Sequence, residues 1–223
     1  MTSPPPTPEQ QRSRMWLWIA LPLIVVLLSC LGAAGGVLLA KRDAREAAPG
    51  GVGVTASPAA SASPSARATT VVVRLPATLL GRAKTKDTTL LKSAEQAVKA
   101  QRSAESGTPQ QILSTYYGSF AKKNLLFVLV VQGKVVDPEH LFATVKAALE
   151  AQRKGLKLAD IEAGPLGGYA ACGDSTVSGG QVASCLWVDA GSYAFIEFFG
   201  AKAAAVTTQF VQARGQIEKL TPA

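Results

Sequence analysis

The sequence is poor in the side chains from which most catalytic and metal sites are built. Its 223 residues contain one histidine, His140, one asparagine, Asn124, and three cysteines. So few histidine and cysteine residues argue against a Cys/His zinc cluster. His140 also has no nearby serine or cysteine that it could activate as a nucleophile. We therefore predict no metal, no organic cofactor and no catalytic residue.

Aromatic residues are also scarce, at 6% of the chain, and none lies between Trp18 and Tyr116. The chain is nevertheless basic, with a net charge of +8. Most of the surplus lies between Lys41 and Arg102, where basic residues outnumber acidic ones by 11 to 4. A nucleic-acid interface would need aromatic stacking residues on such a basic face. We expect lipid headgroups or wall polymers, and no nucleic acid, as neighbours of this charge.

Charge is absent from one long stretch, residues 15–40, which predicts a transmembrane helix. These 26 residues would form a helix of about 39 Å, longer than the roughly 30 Å hydrocarbon core of a bilayer. Trp16 and Trp18, at the start of the stretch, suit the membrane interface. The sequence therefore predicts a single-pass protein of the cell membrane, in contact with the lipid bilayer.

Two alternatives remain open for this stretch. A cleaved secretory signal would have a shorter apolar core, usually about 7–15 residues. Leu27–Cys30 resembles a degenerate lipobox, in which Cys30 would carry a lipid anchor, although residues 31–40 remain apolar. Gly32 and Gly36 form a G-x-x-x-G pair, which would let two membrane helices pack closely as a homodimer.

A stalk is predicted after this stretch, because Ala, Pro, Gly and Ser fill 18 of the 24 positions in residues 47–70. Such a segment has too little bulky apolar surface to fold. The flanking basic residues, two before the apolar stretch and three after it, weakly favour a cytoplasmic C-terminal part. The stalk and a predicted cysteine pair favour an oxidising, extracytoplasmic location. We predict a cytoplasmic tail over residues 1–14, a membrane helix over 15–40, a linker over 41–74 and an extracytoplasmic domain over 75–223.

The domain is predicted to be α+β, with one mostly antiparallel sheet and helices packed on it. Asp137 and Pro138 supply an N-cap and a favoured first residue for the clearest helix. Short gaps between the late strands imply hairpins. In chain order the predicted elements are a helix capped by Asp87 or Thr88, strands over 112–117 and 125–131, a helix from 138 that ends at Gly155, strands near 158–162, 168–173, 182–188 and 193–199, and a helix over about 201–220 that buries Val206, Phe210, Ala213 and Ile217.

The cysteine spacing predicts a disulfide. A two-residue turn at Ser178-Gly179 pairs positions whose numbers sum to 357, so Cys172 lies opposite Cys185. The next gap, Ala190-Gly191, pairs positions that sum to 381. These registers place one set of side chains on a single face: Cys185, Trp187, Ala194, Ile196 and Phe198. The alternative is that both cysteines are buried free thiols.

Two motifs of the domain resemble those of a known group of proteins. The segments Gly164-Pro-Leu-Gly-Gly168, followed by Cys172, and Cys185-Leu-Trp-Val-Asp189 are similar to those of uncharacterised actinobacterial, Streptomyces-like membrane proteins. Members of this group have a short cytoplasmic tail, one membrane helix, a low-complexity stalk and an extracytoplasmic domain. The resemblance covers roughly residues 15–223. It implies a location and a domain type but no reaction.

The carboxylates of the domain have simple structural interpretations. Asp160 and Glu162 share one face of a strand, and a solvated edge explains them better than an acid–base pair. Asp189 is expected to cap the turn beside it. Glu197 shares a face with Tyr193 and is a weaker candidate for a ligand-binding residue.

We therefore predict an extracytoplasmic binding or accessory module of the bacterial cell envelope that is not an enzyme. Its partner would be an envelope protein or a wall polymer. Because loops on a rigid scaffold often carry recognition, the interaction surface is predicted at Gly167, Gly168, Asp189 and Tyr193. The alternatives are an enzyme acting on wall or lipid through an unrecognised site, and a partner protein acting through its membrane helix.

Overall fold

The computed structural model describes residues 69–105 and 107–222. The predicted membrane helix, most of the predicted linker, Cys30, Gly32 and Gly36 lie outside these residues. Within the described ranges, no helix has the length and apolar character needed to cross a membrane.

Three helices and ten strands make up the described part of the chain. The helices are α1 (Thr88–Ala104), α2 (Pro138–Gln152) and α3 (Ala203–Ile217). The strands are β1 (Thr69–Val73), β2 (Thr78–Leu79), β3 (Arg82–Ala83), β4 (Gln111–Tyr117), β5 (Leu126–Gln132), β6 (Ala159–Asp160), β7 (Tyr169–Val177), β8 (Gly180–Val188), β9 (Ser192–Phe199) and β10 (Glu218–Pro222).

The main sheet has six strands in the order β4-β5-β9-β8-β7-β6, and every neighbouring pair is antiparallel. This arrangement confirms the α+β prediction. Two short antiparallel pairs, β1 with β10 and β2 with β3, lie outside the main sheet.

The first two helices begin at the predicted capping residues. The Asp87 carboxylate accepts hydrogen bonds from the backbone N–H groups of Thr89 and Leu90, at 2.9 and 3.2 Å. The Asp137 carboxylate accepts one from the N–H of His140 at 3.0 Å, and Pro138 follows as the first helical residue. In both cases the cap satisfies N–H groups that have no partner within the helix.

The two faces of the sheet carry different helices. Side chains alternate along each strand, so Ala194, Ile196 and Phe198 of β9 face the core formed with α3. Tyr193 and Phe195 face the opposite side, where α1 packs on β4 and β5, and α2 packs on β7 and β8. Because β9 lies between β5 and β8, it runs beneath the gap between α1 and α2.

The strand pair that joins the two ends of the described domain was not predicted from the sequence. The predicted linker included β1, and the predicted last helix extended to residue 220, whereas α3 ends at Ile217 and the next residues pair with β1. The Gln132 side chain ties this pair to the sheet. Its amide nitrogen donates to the Val71 carbonyl at 2.9 Å, and its amide oxygen accepts from the Val73 N–H at 3.3 Å.

The predicted disulfide is present. Cys172 and Cys185 are opposite each other in the register of β7 and β8, with Cα atoms 4.1 Å apart and both side chains buried. Ser178 and Gly179 both have positive φ angles, 51° and 79°, as the two-residue hairpin turn requires. The second predicted register is also confirmed, because Trp187 pairs with Ala194 and Cys185 pairs with Ile196.

Alanine in place of two glycines should have opposite effects on stability. A Cβ atom on buried Gly173 would lie 2.2 Å from the Lys157 carbonyl oxygen, so Gly173→Ala should reduce the free energy of unfolding by about 1–3 kcal/mol or more. Gly215, in the last turn of α3, has no atom within 4 Å of the added Cβ. Gly215→Ala should therefore raise the free energy of unfolding by about 0.5–1 kcal/mol. Urea titration followed by tryptophan fluorescence measures both changes. Equal changes in the free energy of unfolding of the two variants would contradict the close approach of the Lys157 carbonyl to Gly173.

Candidate functional site

An apolar groove runs along β9 between α1 and α2, and we call it the β9 groove. Its volume is about 470 Å³, within the range of roughly 300–1,000 Å³ typical of small-molecule sites. The floor is formed by side chains of β5, β8 and β9, and the walls by the C-terminal end of α1, the loop before α2 and α2 itself. The floor residues are Phe127, Leu129, Val131, Leu186, Val188, Tyr193 and Phe195.

The groove explains why α2 buries less of its apolar face than its sequence predicts. Phe142 and Leu149 are buried, but Leu141 and Val145 are only partly buried and line the groove. Tyr193 and Phe195 are likewise half-buried although β9 is a central strand.

The groove has one open and one closed end. At the open end, Lys134, Asp137 and His140 are exposed, and Val136 has 88% of its surface exposed. At the other end, Leu149 and Leu186 are buried and Arg153 is half-buried. A ligand would therefore enter from the side of the loop that precedes α2.

A hydrogen-bonded group of three side chains forms part of the α1 wall. The Tyr193 hydroxyl donates to a carboxylate oxygen of Glu105. The Gln101 amide donates to the Tyr193 hydroxyl at 2.9 Å and to Glu105 at 2.6 Å. These contacts hold the Tyr193 side chain in the groove floor. Tyr193 is one of the predicted interaction residues, and it lies in the groove and not in an outer loop.

A buried ion pair stands at the closed end. Arg153 pairs with Glu197, whose side chain is only 1% exposed, and its Nη1 also donates to the Ser184 hydroxyl at 3.0 Å. The guanidinium carbon lies 5.2 Å from the centre of the Phe195 ring, within cation–π range. Glu197 therefore holds Arg153 in place. Arg153 lines the groove, whereas Glu197 lies close to the groove without lining it.

A second buried cluster lies on the α3 side of the sheet. Arg214 donates from Nη2 to Asp189 at 2.8 Å and from Nε to Glu218 at 2.9 Å. Its Nη1 donates to the carbonyl oxygens of Ala163 and Gly167, at 3.1 and 2.6 Å. Both Arg214 and Glu218 are 1% exposed, so this cluster ties the loop before β7 to α3 from inside the domain.

Three of the four residues predicted to form an interaction surface lie together, because a Cβ on Gly168 would lie 2.9 Å from the Asp189 Cβ, and Arg214 bonds to both Asp189 and the Gly167 carbonyl. Tyr193 lies on the opposite face of the sheet. Asp189 is only 7% exposed, and its carboxylate accepts hydrogen bonds from the N–H groups of Gly191 and Ser192, at 2.7 and 2.8 Å. It caps the turn as expected, and its carboxylate is buried beside Arg214. The interaction surface at these positions stays a prediction. Gly167 and Gly168 are exposed.

The glycines of this loop have conformational roles. Gly167 and Gly168 have φ angles of 70° and 80°, a region that side chains other than glycine rarely adopt. A Cβ on Gly168 would also lie 2.5 Å from the Val188 carbonyl oxygen. This loop therefore combines a tight turn with a close approach of the backbone to β8, and both require glycine.

Two of the groups with shifted pKa values are buried and have structural roles. Burial raises the pKa of Tyr116 to about 12, so its phenol stays protonated at neutral pH. Burial also raises the pKa of Glu218, and the Asp189 charge adds to this effect, whereas Arg214 opposes it. Asp160 is exposed and pairs with Lys146 at 2.5 Å, and Glu162 is exposed. In residues 69–105 and 107–222, no group of three or more His, Cys, Asp or Glu side chains could hold a metal ion.

Neither Arg214 nor Arg153 was predicted from the sequence to have a role. Arg214 lies four residues after Phe210 and three before Ile217, on the buried face of α3, so the helical spacing indicated that its side chain is buried. Arg153 lies just beyond the last turn of α2, where a basic residue is usually solvated, so its position did not indicate burial. Comparison of the chain with protein-family models, with curated proteins and with solved structures finds no match.

Proposed function

We propose that this protein is a membrane-anchored, extracytoplasmic binding module of the bacterial cell envelope, and that the β9 groove holds its ligand. The groove carries the proposal, because it leaves aromatic side chains of a central strand half-buried between two helices. Apolar clefts of this size with a few placed polar groups commonly mark ligand sites. The ligand that fits is an elongated molecule with an apolar body.

The polar groups of the groove favour binding over catalysis. Tyr193 and Glu105 bond to each other, and Arg153 pairs with Glu197. Groups fixed in this way suit the orientation of a ligand. An enzyme acting on wall or lipid would need a nucleophile beside a base. Among the groove-lining residues that the structure describes, His140 is exposed at the mouth, and no serine or cysteine lines the groove with it. Thr144, one helical turn later, is exposed, and its hydroxyl group forms no hydrogen bond with His140 within these residues.

The position of the first strand supports delivery of the ligand from the membrane side. Gly191 approaches Val71 of β1 so closely that an added Cβ would lie 2.4 Å from the Val71 side chain. The N–H of Gly133, at the start of the loop beside the groove mouth, donates to the Gly191 carbonyl at 3.0 Å. Strand β1, which follows most of the predicted stalk in the chain, therefore lies near the end of the domain where the groove opens.

Labelling of the full-length protein in phosphatidylcholine vesicles tests this function. The probe is a photoreactive, alkyne-tagged hexadecanol, and mass spectrometry locates the labelled peptides. We expect label on α2 and β9. Val145→Trp, which places a large side chain in the groove, should reduce that label about tenfold, the result of losing roughly 1.4 kcal/mol of binding free energy.

The matched control is Ala147→Trp, at an exposed position of the same helix that does not line the groove. In this variant the labelling of α2 and β9 should stay within about twofold of that in the unmodified protein. The reduction expected for Val145→Trp is about tenfold, which corresponds to 1.4 kcal/mol. An absence of label in the groove, or equal losses in the two variants, would overturn the proposed function.

A further inference from the structure

We propose that the β9 groove binds a long-chain carboxylate, a single-chain amphiphile of the fatty-acid type, and that Arg153 binds its carboxylate. This inference rests on the proposed function, because it names the head group and the chain number of the ligand in the same groove. Three observations support this assignment: the donors that Arg153 leaves unused, the engagement of the acidic groups that line the groove, and the volume of the groove.

Arg153 has hydrogen-bond donors to spare. An arginine carries five N–H donors in a planar fork that matches a carboxylate. The contacts to Glu197 and Ser184 both use Nη1. Within the described residues, no group accepts a hydrogen bond from Nε or Nη2 of Arg153. Three donors of a groove-lining cation are thus left for a ligand.

The neighbours of Arg153 hold it ready for this contact. Glu197 and Ser184 fix one nitrogen, and the Phe195 ring lies beneath the guanidinium group. The side chain is only 11% exposed. A charge-assisted hydrogen bond is stronger in such a place than at an open surface, because less water competes for the donors. Glu197 is therefore a positioning residue for Arg153.

The acidic groups that line the groove leave the unused donors of Arg153 to a ligand. The acidic groups that line it are already engaged, because Glu105 accepts from Tyr193 and Gln101, and Asp137 caps α2. The lining cations are Arg153, with its unused donors, and Lys134, exposed at the mouth. A carboxylate at the closed end would thus meet the Nε and Nη2 donors of Arg153, whereas Glu197 contacts Nη1.

The size of the groove favours one chain. Its floor spans β5, β9 and β8, but its volume of about 470 Å³ lies toward the lower end of the range of roughly 300–1,000 Å³ typical of small-molecule sites. The lining residues of β9 run from Tyr193 to Phe195, and the loop before α2 extends the groove toward solvent. One alkyl chain can lie along this path with its head at Arg153 and its tail toward exposed Val136.

Competition between head groups tests the inference. The full-length protein in phosphatidylcholine vesicles is labelled with the photoreactive hexadecanol, in buffer alkaline enough to ionise a fatty acid. Unlabelled hexadecanoate, hexadecanol or dihexadecanoyl phosphatidate is then added as competitor. We expect hexadecanoate to displace the label from α2 and β9 at a concentration about tenfold lower than hexadecanol, the gain from charge-assisted hydrogen bonds.

A charge-balanced double variant keeps the test independent of folding. Arg153→Gln alone would leave Glu197 buried without its cation, so it is combined with Glu197→Gln. Retained labelling by the hexadecanol probe shows that the groove of the double variant is intact. In that variant hexadecanoate and hexadecanol should compete equally. Lys154→Gln, which removes a neighbouring exposed cation that does not line the groove, should preserve the tenfold preference.

The outcomes separate this inference from the proposed function. Equal competition by hexadecanoate and hexadecanol in the unmodified protein would overturn the carboxylate assignment and leave the apolar groove in place. Stronger competition by the two-chain phosphatidate would overturn the single-chain assignment. A preference for hexadecanoate that survives in the double variant would remove Arg153 from the site. Failure of the hexadecanol probe to label the groove at all would overturn both proposals.

Discussion

Replacing Arg214 by methionine should lower the free energy of unfolding by about 3–5 kcal/mol, the usual cost of removing one partner from a buried ion pair. The substitution would leave Asp189 and Glu218 buried without the cation that both contact. It would also free the carbonyl oxygens of Ala163 and Gly167, which accept hydrogen bonds from Arg214. Urea titration followed by the fluorescence of buried Trp187, whose ring lies 5.6 Å from the Arg214 guanidinium carbon, measures the change.

Two further variants define the origin of this loss. Arg102→Met, at an exposed site in the last turn of α1, should change stability by no more than about 0.5 kcal/mol. Adding Glu218→Gln to Arg214→Met should restore part of the stability, because one of the two uncompensated carboxylates is then neutral. A loss for Arg214→Met no larger than that for Arg102→Met would contradict the role of the cluster.

The same cluster should give the protein a defined dependence on pH. Burial raises the pKa of Glu218 in the folded state above its value in the unfolded chain. Its contribution to stability is therefore complete below the unfolded pKa and is lost as the pH rises through the folded pKa. Glu218→Gln should remove that part of the pH dependence.

Removing the disulfide should cost about 3 kcal/mol in the chain-entropy estimate for a loop of about 14 residues. The variant Cys172→Ala/Cys185→Ala tests this without leaving one thiol free to form wrong pairs, and its urea midpoint is compared with that of the oxidised protein. The unmodified protein treated with a reductant under unfolding conditions, then refolded, should show the same loss.

Alkylation tests the bond in the native envelope. Protein isolated from cells, denatured and left unreduced, should react with an alkylating reagent at neither Cys172 nor Cys185. Because disulfides persist mainly in oxidising compartments, the same result supports the proposed extracytoplasmic location. Reaction at both residues would contradict the bond and remove that support.

Features set by nearby residues were predictable from the sequence. The Ser178-Gly179 turn fixes the register of β7 and β8, and the side-chain alternation that follows places Trp187 and Ile196 in one core. Asp87 and Asp137 marked the starts of two helices for the same reason, since a cap acts within three residues of its position.

Features set by distant residues were not predictable in this way. Thr69 pairs with Pro222, and no local pattern marks partners so far apart in sequence. The β9 groove depends on which strands α1 and α2 cover. The apolar pattern of the α2 sequence is the same whether Leu141 and Val145 are buried or line a groove. The sequence therefore indicated a helix but not the β9 groove beside it.

The pairing of β1 with β10 and the Gln132 amide also determine how the domain would carry a mechanical load. A tether on the N-terminal side pulls first on β1. Tension then passes through the backbone hydrogen bonds to β10, and through the Gln132 side chain to the end of β5, a strand of the main sheet. This path enters from the side of the sheet that packs on α3, since Val73 lies in that core. A pull on the chain before β1 would thus load this core before it reached the gap between α1 and α2.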